Sequence, residues 1–134
     1  MVLRKIPSKM FVNYNPNPLG KRVEDCSIRA ISKAFDSTWD EAYDLLASFG
    51  KVVADLQNSN VAIDILLRVF GFEREIIPNT CPFCYTANDF CYDNPHGTYV
   101  LGFGNHVATV VDGKIYDSWD SSSMVPIYYY RKDE

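Results

Sequence analysis

Residues 106–119 read HVATVVDGKIYDSW. Two β-branched, apolar runs flank Asp112-Gly113, a dipeptide suited to the positive backbone angles of a two-residue hairpin turn. The stretch therefore predicts two antiparallel strands, 106–111 and 114–119. Pairing outward from that turn sets His106 opposite Trp119. Asp117 is then its diagonal neighbour on the same face, within side-chain reach.

Similar runs of β-branched and aromatic residues lie at 98–101 and 125–131, the latter holding Tyr128, Tyr129 and Tyr130 in a row. Upstream the period becomes helical. Cys26, Ile28, Ala30, Ile31, Ala34 and Phe35 fit one helix face. A second helix starts at Ser37 or Thr38, with Glu41 placed for a capping box, and Gly50 is expected to end it. Its stripe is Trp39, Ala42, Tyr43, Leu45, Leu46 and Phe49. A third is expected over about 60–70, with Gly71 as its stop and Val61, Ile65, Leu66, Val69 and Phe70 as its core face. In 11–20, FVNYNPNPLG, two Asn-Pro pairs and a Gly argue against any regular element. One domain over 1–134 follows: an irregular arm (1–20), a helical part (21–75), a Cys-containing loop and short helix (76–96, the helix at 86–91), and antiparallel strands (97–131). Helices first and strands second imply an α+β fold, N-terminal helices packed on a C-terminal antiparallel sheet.

Composition agrees with one globular domain: 134 residues, 47% hydrophobic and 22% charged. A net charge of −4 argues against nucleic acid as a partner. The local basic group Arg4, Lys5, Lys9, Lys21 and Arg22 reads as a solvated arm. No apolar run approaches the roughly 20 residues that span a bilayer, and residues 1–18 carry no signal-peptide pattern. A cytoplasmic protein with no membrane partner is expected. In a reducing compartment the four cysteines, Cys26, Cys81, Cys84 and Cys91, read as nucleophile, metal ligands or buried thiols before disulfides.

Three residues carry chemistry in order. Cys26 opens a helix, where unpaired N–H groups and the helix dipole favour thiolate, although Glu24 and Asp25 add opposing charge. His106 begins a strand and can take the thiol proton and later return it. Asp117 can orient the imidazole. Each has a structural alternative: a buried thiol, a core histidine, a turn carboxylate. Cys81-Pro82-Phe83-Cys84 is a zinc half-site that Cys91 and His96 can complete; buried thiols and a disulfide or redox pair are the alternatives.

The segments Asp25 to Ala30, Gly104 to Val111 and Tyr116 to Trp119 resemble those of small papain-like cysteine peptidases of bacteria and phages, including bacteriocin-leader peptidases, which use Asp as the third catalytic residue. The resemblance implies a papain-like fold, a Cys26-His106-Asp117 triad, a Trp119 that shields the His–acid contact, and no required cofactor. The papain signature around the nucleophile is absent. Gly20 stands where the family's oxyanion-hole Gln is usual, so a side-chain oxyanion donor is sought in Asn15 or Asn17, whose alternative role is turn bonding. A cysteine-dependent amide or peptide-bond hydrolase of narrow specificity, acting on a peptide or protein substrate, is expected. The alternative is an inactive papain-like or zinc-stabilised binding module using the tyrosine-rich tail as a contact surface.

Overall fold

The computed structural model describes residues 10–132; Arg4, Lys5 and Lys9 of the basic group lie outside them. Ten elements run β1 (Phe11–Asn13), α1 (Cys26–Ala34), α2 (Trp39–Val53), α3 (Asn60–Val69), β2 (Phe72–Ile76), α4 (Ala87–Asp93), β3 (Thr98–Gly102), β4 (Val107–Val111), β5 (Lys114–Asp117) and β6 (Tyr128–Lys132). The fold is α+β, with a single six-stranded sheet in the order β1-β5-β4-β3-β6-β2.

Alternation along the strands divides two cores. On one face Val100, Val107, Tyr128 and Tyr130 meet Ile31 of α1, Leu46 of α2 and Leu66 of α3. On the other, Leu101, Ala108, Val110 and Ile115 meet Phe90 and Cys91 of α4. Tyr129 packs on this second face against Phe90 and Tyr99. The tyrosine row thus fills both cores, and Tyr128 and Tyr130 are buried.

The Asp112-Gly113 hairpin forms in the expected register, Val111 opposite Lys114 and Thr109 opposite Tyr116. Thr109 Oγ1 donates to the Ala30 carbonyl at 2.7 Å in the buried seam between β4 and α1. That tie lays α1 along β4, so the first residue of α1 sits at the start of β4. Thr38 caps α2 in a full capping box with Glu41.

Four expectations are corrected. The arm at 1–20 is not wholly irregular: Phe11 to Asn13 pair in parallel with Ile115 to Asp117, making the sheet mixed. The Asn-Pro pairs begin only after that strand, so they stop it without preventing it. The region 21–75 is not wholly helical, because β2 pairs antiparallel with β6. Gly50 does not end α2. The helix runs on to Val53 and closes at Ala54, with φ of 57°. Gly50 is instead where the returning chain crosses, and a Cβ there would lie 2.9 Å from the Asp55 carbonyl oxygen. Finally, α3 buries Ala62, Ile63, Leu66 and Leu67, leaving Val61, Val69 and Phe70 exposed. Its sequence is apolar nearly all round, so periodicity did not choose between faces; packing against α2 and β2 does.

Gly102 is the tightest point of the sheet. It pairs with Tyr128, and a Cβ would fall 2.0 Å from that ring. Gly102→Ala is expected to lower unfolding free energy by about 1–3 kcal/mol, the usual cost of overpacking. Urea denaturation followed by circular dichroism checks this.

Candidate active site

The hairpin and the α1–β4 seam assemble the site. Cys26 is the first residue of α1, His106 directly precedes β4, and Asp117 ends β5. His106 stands between the other two. Its Nε2 lies 2.7 Å from Asp117 Oδ2 and donates to it, since an ionised carboxylate has no proton to give. That leaves Nδ1 as the ring nitrogen available to the Cys26 thiol, which lines the same two cavities as His106.

Asp117 is fully buried. Besides His106 it accepts from Ser121 Oγ at 2.6 Å, the Ser118 N–H at 2.8 Å and Arg29 Nε at 3.1 Å. Arg29, itself buried one turn along α1 from Cys26, gives its Nη1 to Asp25 Oδ1 at 2.6 Å. Trp39 Nε1 donates to the other Asp25 oxygen at 2.9 Å. Asp25 therefore anchors Arg29 and does not confront the thiol with a free charge. Sequence reading missed Arg29 and Ser121. The i,i+4 spacing of Asp25 and Arg29 was the available signal; nothing in the sequence marked Ser121.

Trp119 lies against the His106 ring, centroids 4.9 Å apart, and Phe103 approaches it at 5.8 Å. Trp119 remains 44% exposed, so it forms part of the cleft wall as well as a cover.

Asn15 and Asn17 are not brought to the thiol. Asn15 Nδ2 donates to the Lys21 carbonyl, and Asn17 Oδ1 accepts from the Leu19 and Lys21 N–H groups. Both side chains are spent shaping the turn. In their place the structure offers Arg22, read from sequence as part of a solvated arm. Its Nη1 is held by the Ser118 carbonyl at 2.6 Å, and it lines the same cavity as Cys26, His106 and Trp119. The tie to Ser118 spends one of its five N–H donors.

The proposed zinc set is not assembled. Cys81 and Cys84 are joined in a disulfide, against the expectation of reduced thiols. Cys91 is on the buried face of α4 against the sheet, where burial pushes its thiol up to about 12. Among the described residues no three His, Cys, Asp or Glu side chains group to hold a metal.

Burial alone would raise the Cys26 thiol. The hydrogen bonds from His106 and the Val107 N–H, with the charges of His106 and Arg29, outweigh it and leave the thiol below its ordinary value. Burial likewise works against the charged form of His106, yet the hydrogen bonds to Asp117 and Cys26 raise it to about 9. For Asp117, burial is overcome by His106, Ser121 and Arg29, so its carboxyl stays below the usual range. All three directions favour a thiolate–imidazolium pair.

Two cavities, of about 530 and 460 Å³, open on either side of that pair and share Glu24, Cys26, Asn105 and His106. The first is walled by Arg22 and Trp119, the second by Asn58, Ser59, Asn60 and Ile63. Together they form a cleft crossing the nucleophile. Among the described residues no helix is long and apolar enough to cross a membrane.

Comparison with known proteins gives no significant match to any family model, curated protein or solved structure.

The sign of the pH dependence follows. Cys26 loses its proton below the free-thiol range, and His106 keeps its own until about pH 9. Iodoacetamide should alkylate Cys26 at a lower pH than a free thiol, whose ordinary value is about 8.5. In His106→Ala the reaction should retreat to higher pH, because burial is then opposed only by the Val107 N–H and the Arg29 charge. Peptide mapping across pH 5–10 reads this, with Cys91 as the buried reference thiol.

Proposed function

We propose that this protein is a cysteine hydrolase of amide bonds, with a papain-like arrangement of nucleophile, base and carboxylate. The observation that carries the proposal is His106 held at 2.7 Å by buried Asp117 while it shares both cavities with the Cys26 thiol. The Cys26 thiolate attacks the substrate carbonyl carbon, and a tetrahedral oxyanion forms. The His106 imidazolium gives its proton to the leaving nitrogen as the C–N bond breaks, leaving a thioester on Cys26. Neutral His106 then takes a proton from water, hydroxide adds to the thioester, and the acid and free thiolate separate with His106 protonated again. Asp117 orients the ring and stabilises the imidazolium throughout. The Cys26 backbone N–H and the Arg22 guanidinium serve as oxyanion donors.

The cleft suits an extended peptide entering as a strand or linker more than a folded protein, which supports narrow specificity. The tyrosine tail is not an exposed patch: Tyr128 and Tyr130 are core residues that also line a neighbouring cavity.

The test is digestion of a proteome-derived peptide mixture, with cleavage sites mapped by mass spectrometry and intact-mass detection of an acylated Cys26. Cleavage at a restricted set of sequences, abolished in Cys26→Ala, is expected. Turnover in Arg22→Ala should fall about 10²-fold, the scale of one lost oxyanion donor. Product formation that persists in Cys26→Ala defeats the proposal, as does the absence of any acyl-enzyme and any cleavage.

A further inference from the structure

The cleft does not end at the cavity beside Ser59. A third cavity, of about 300 Å³, shares Asn60 with it and continues between α3 and the β6–β2 edge, lined by Asp64, Arg68, Arg74, Tyr128 and Tyr130. Two guanidinium groups face one carboxylate here. That carboxylate is occupied on both oxygens: Tyr130 donates to Asp64 Oδ1 at 2.6 Å, and Arg68 Nε to Oδ2 at 2.9 Å. The Arg74 guanidinium sits over the Tyr128 ring, 4.3 Å from its centroid; stacking engages the face of the group, and its in-plane N–H donors point outward from the stack. Its neighbours Glu73 and Glu75 alternate to the opposite face of β2, where both pair with Arg131. In a protein of net charge −4, this is a local excess of positive charge beside an aromatic floor.

Resting on the reading of Cys26 as the nucleophile, we propose that this arm of the cleft is a subsite for a carboxylate of the substrate, with Arg74 as its recognition residue. The substrate class is then a peptide carrying an acidic group at a fixed distance from the bond cut.

The protein of 134 residues suits two-dimensional NMR. The probes are acetylated, amidated glycine tetrapeptides with Glu or Gln at each position in turn, and a Gln peptide with a free C-terminal carboxylate. A Glu peptide should shift the Arg74 Nε–H and the amides of Asn60, Val61 and Tyr130. It should bind about threefold tighter than its Gln counterpart, as one partly exposed ion pair allows. The preference should vanish in Arg74→Gln, survive in Arg74→Lys, and collapse in about 1 M salt, where the screening length is about 3 Å. If the free-carboxylate peptide alone shows it, the carboxylate recognised is a chain terminus. Equal binding of Glu and Gln peptides at every position, with no gain from the free C-terminal carboxylate, overturns the proposal, as does a preference unchanged in Arg74→Gln. A Cys26 that alkylates at no lower pH than a free thiol would instead remove the catalytic reading, and the titration reads the subsite independently of it.

Discussion

A buried carboxylate organises this molecule. Asp117 is held out of water with its charge, a placement that costs several kcal/mol unless every lone pair is answered. The answers come from all around it. Arg29 reaches from α1, His106 from the start of β4, and Ser121 from the loop after β5. The Ser118 N–H closes on it locally. Even β1 is registered by this residue, because the Tyr14 N–H donates to the Asp117 carbonyl at 2.7 Å. The start of α1, the start of β4 and the loop after β5 are therefore tied to one side chain, and β1 to the backbone of the same residue.

That convergence explains which parts were legible in the sequence. The hairpin was readable because Asp112-Gly113 is local turn chemistry, and its register carried His106 and Asp117 into range without further information. Cys26 was readable as the start of an amphipathic helix. What places that helix start beside His106 is Thr109 bonding to Ala30, a contact across 79 residues that no local pattern reveals. The short strand β1 was hidden because its three residues adjoin a turn-rich run and are too few to show an alternation. The exposed face of β2, Glu73 and Glu75, reads as solvated charge until Arg131 is brought opposite. Asn15 and Asn17 were plausible donors by type; only the course of the turn shows that they are spent on it.

The two faces of the sheet divide the labour. The α4 side is a compact apolar core around Phe90, Leu101 and Val110, and it holds Cys91 as an inert thiol. The other side carries α1 to α3 and all of the candidate chemistry. The link between them is the segment after β5. Met124 and Ser122 accept the Ala87 and Asn88 N–H groups at the start of α4, while Ser121 donates to Asp117. The packing of α4 therefore helps hold the acid, although it never touches the cleft.

Charge within the buried network accounts for the reactive form of the thiol. Arg29 is one cation serving two carboxylates, Asp25 and Asp117. With a neutral histidine, Asp117 would share its single formal partner with Asp25. Transfer of the Cys26 proton to His106 leaves the total charge unchanged but redistributes it. A second cation appears 2.7 Å from Asp117, and the compensating anion moves to Cys26, which is partly exposed at the junction of two cavities. The interior thus exchanges an under-compensated carboxylate for a matched pair, and the excess negative charge goes to a sulfur at the cavity mouths. The raised proton affinity of His106 and the lowered one of Cys26 are two views of that single redistribution.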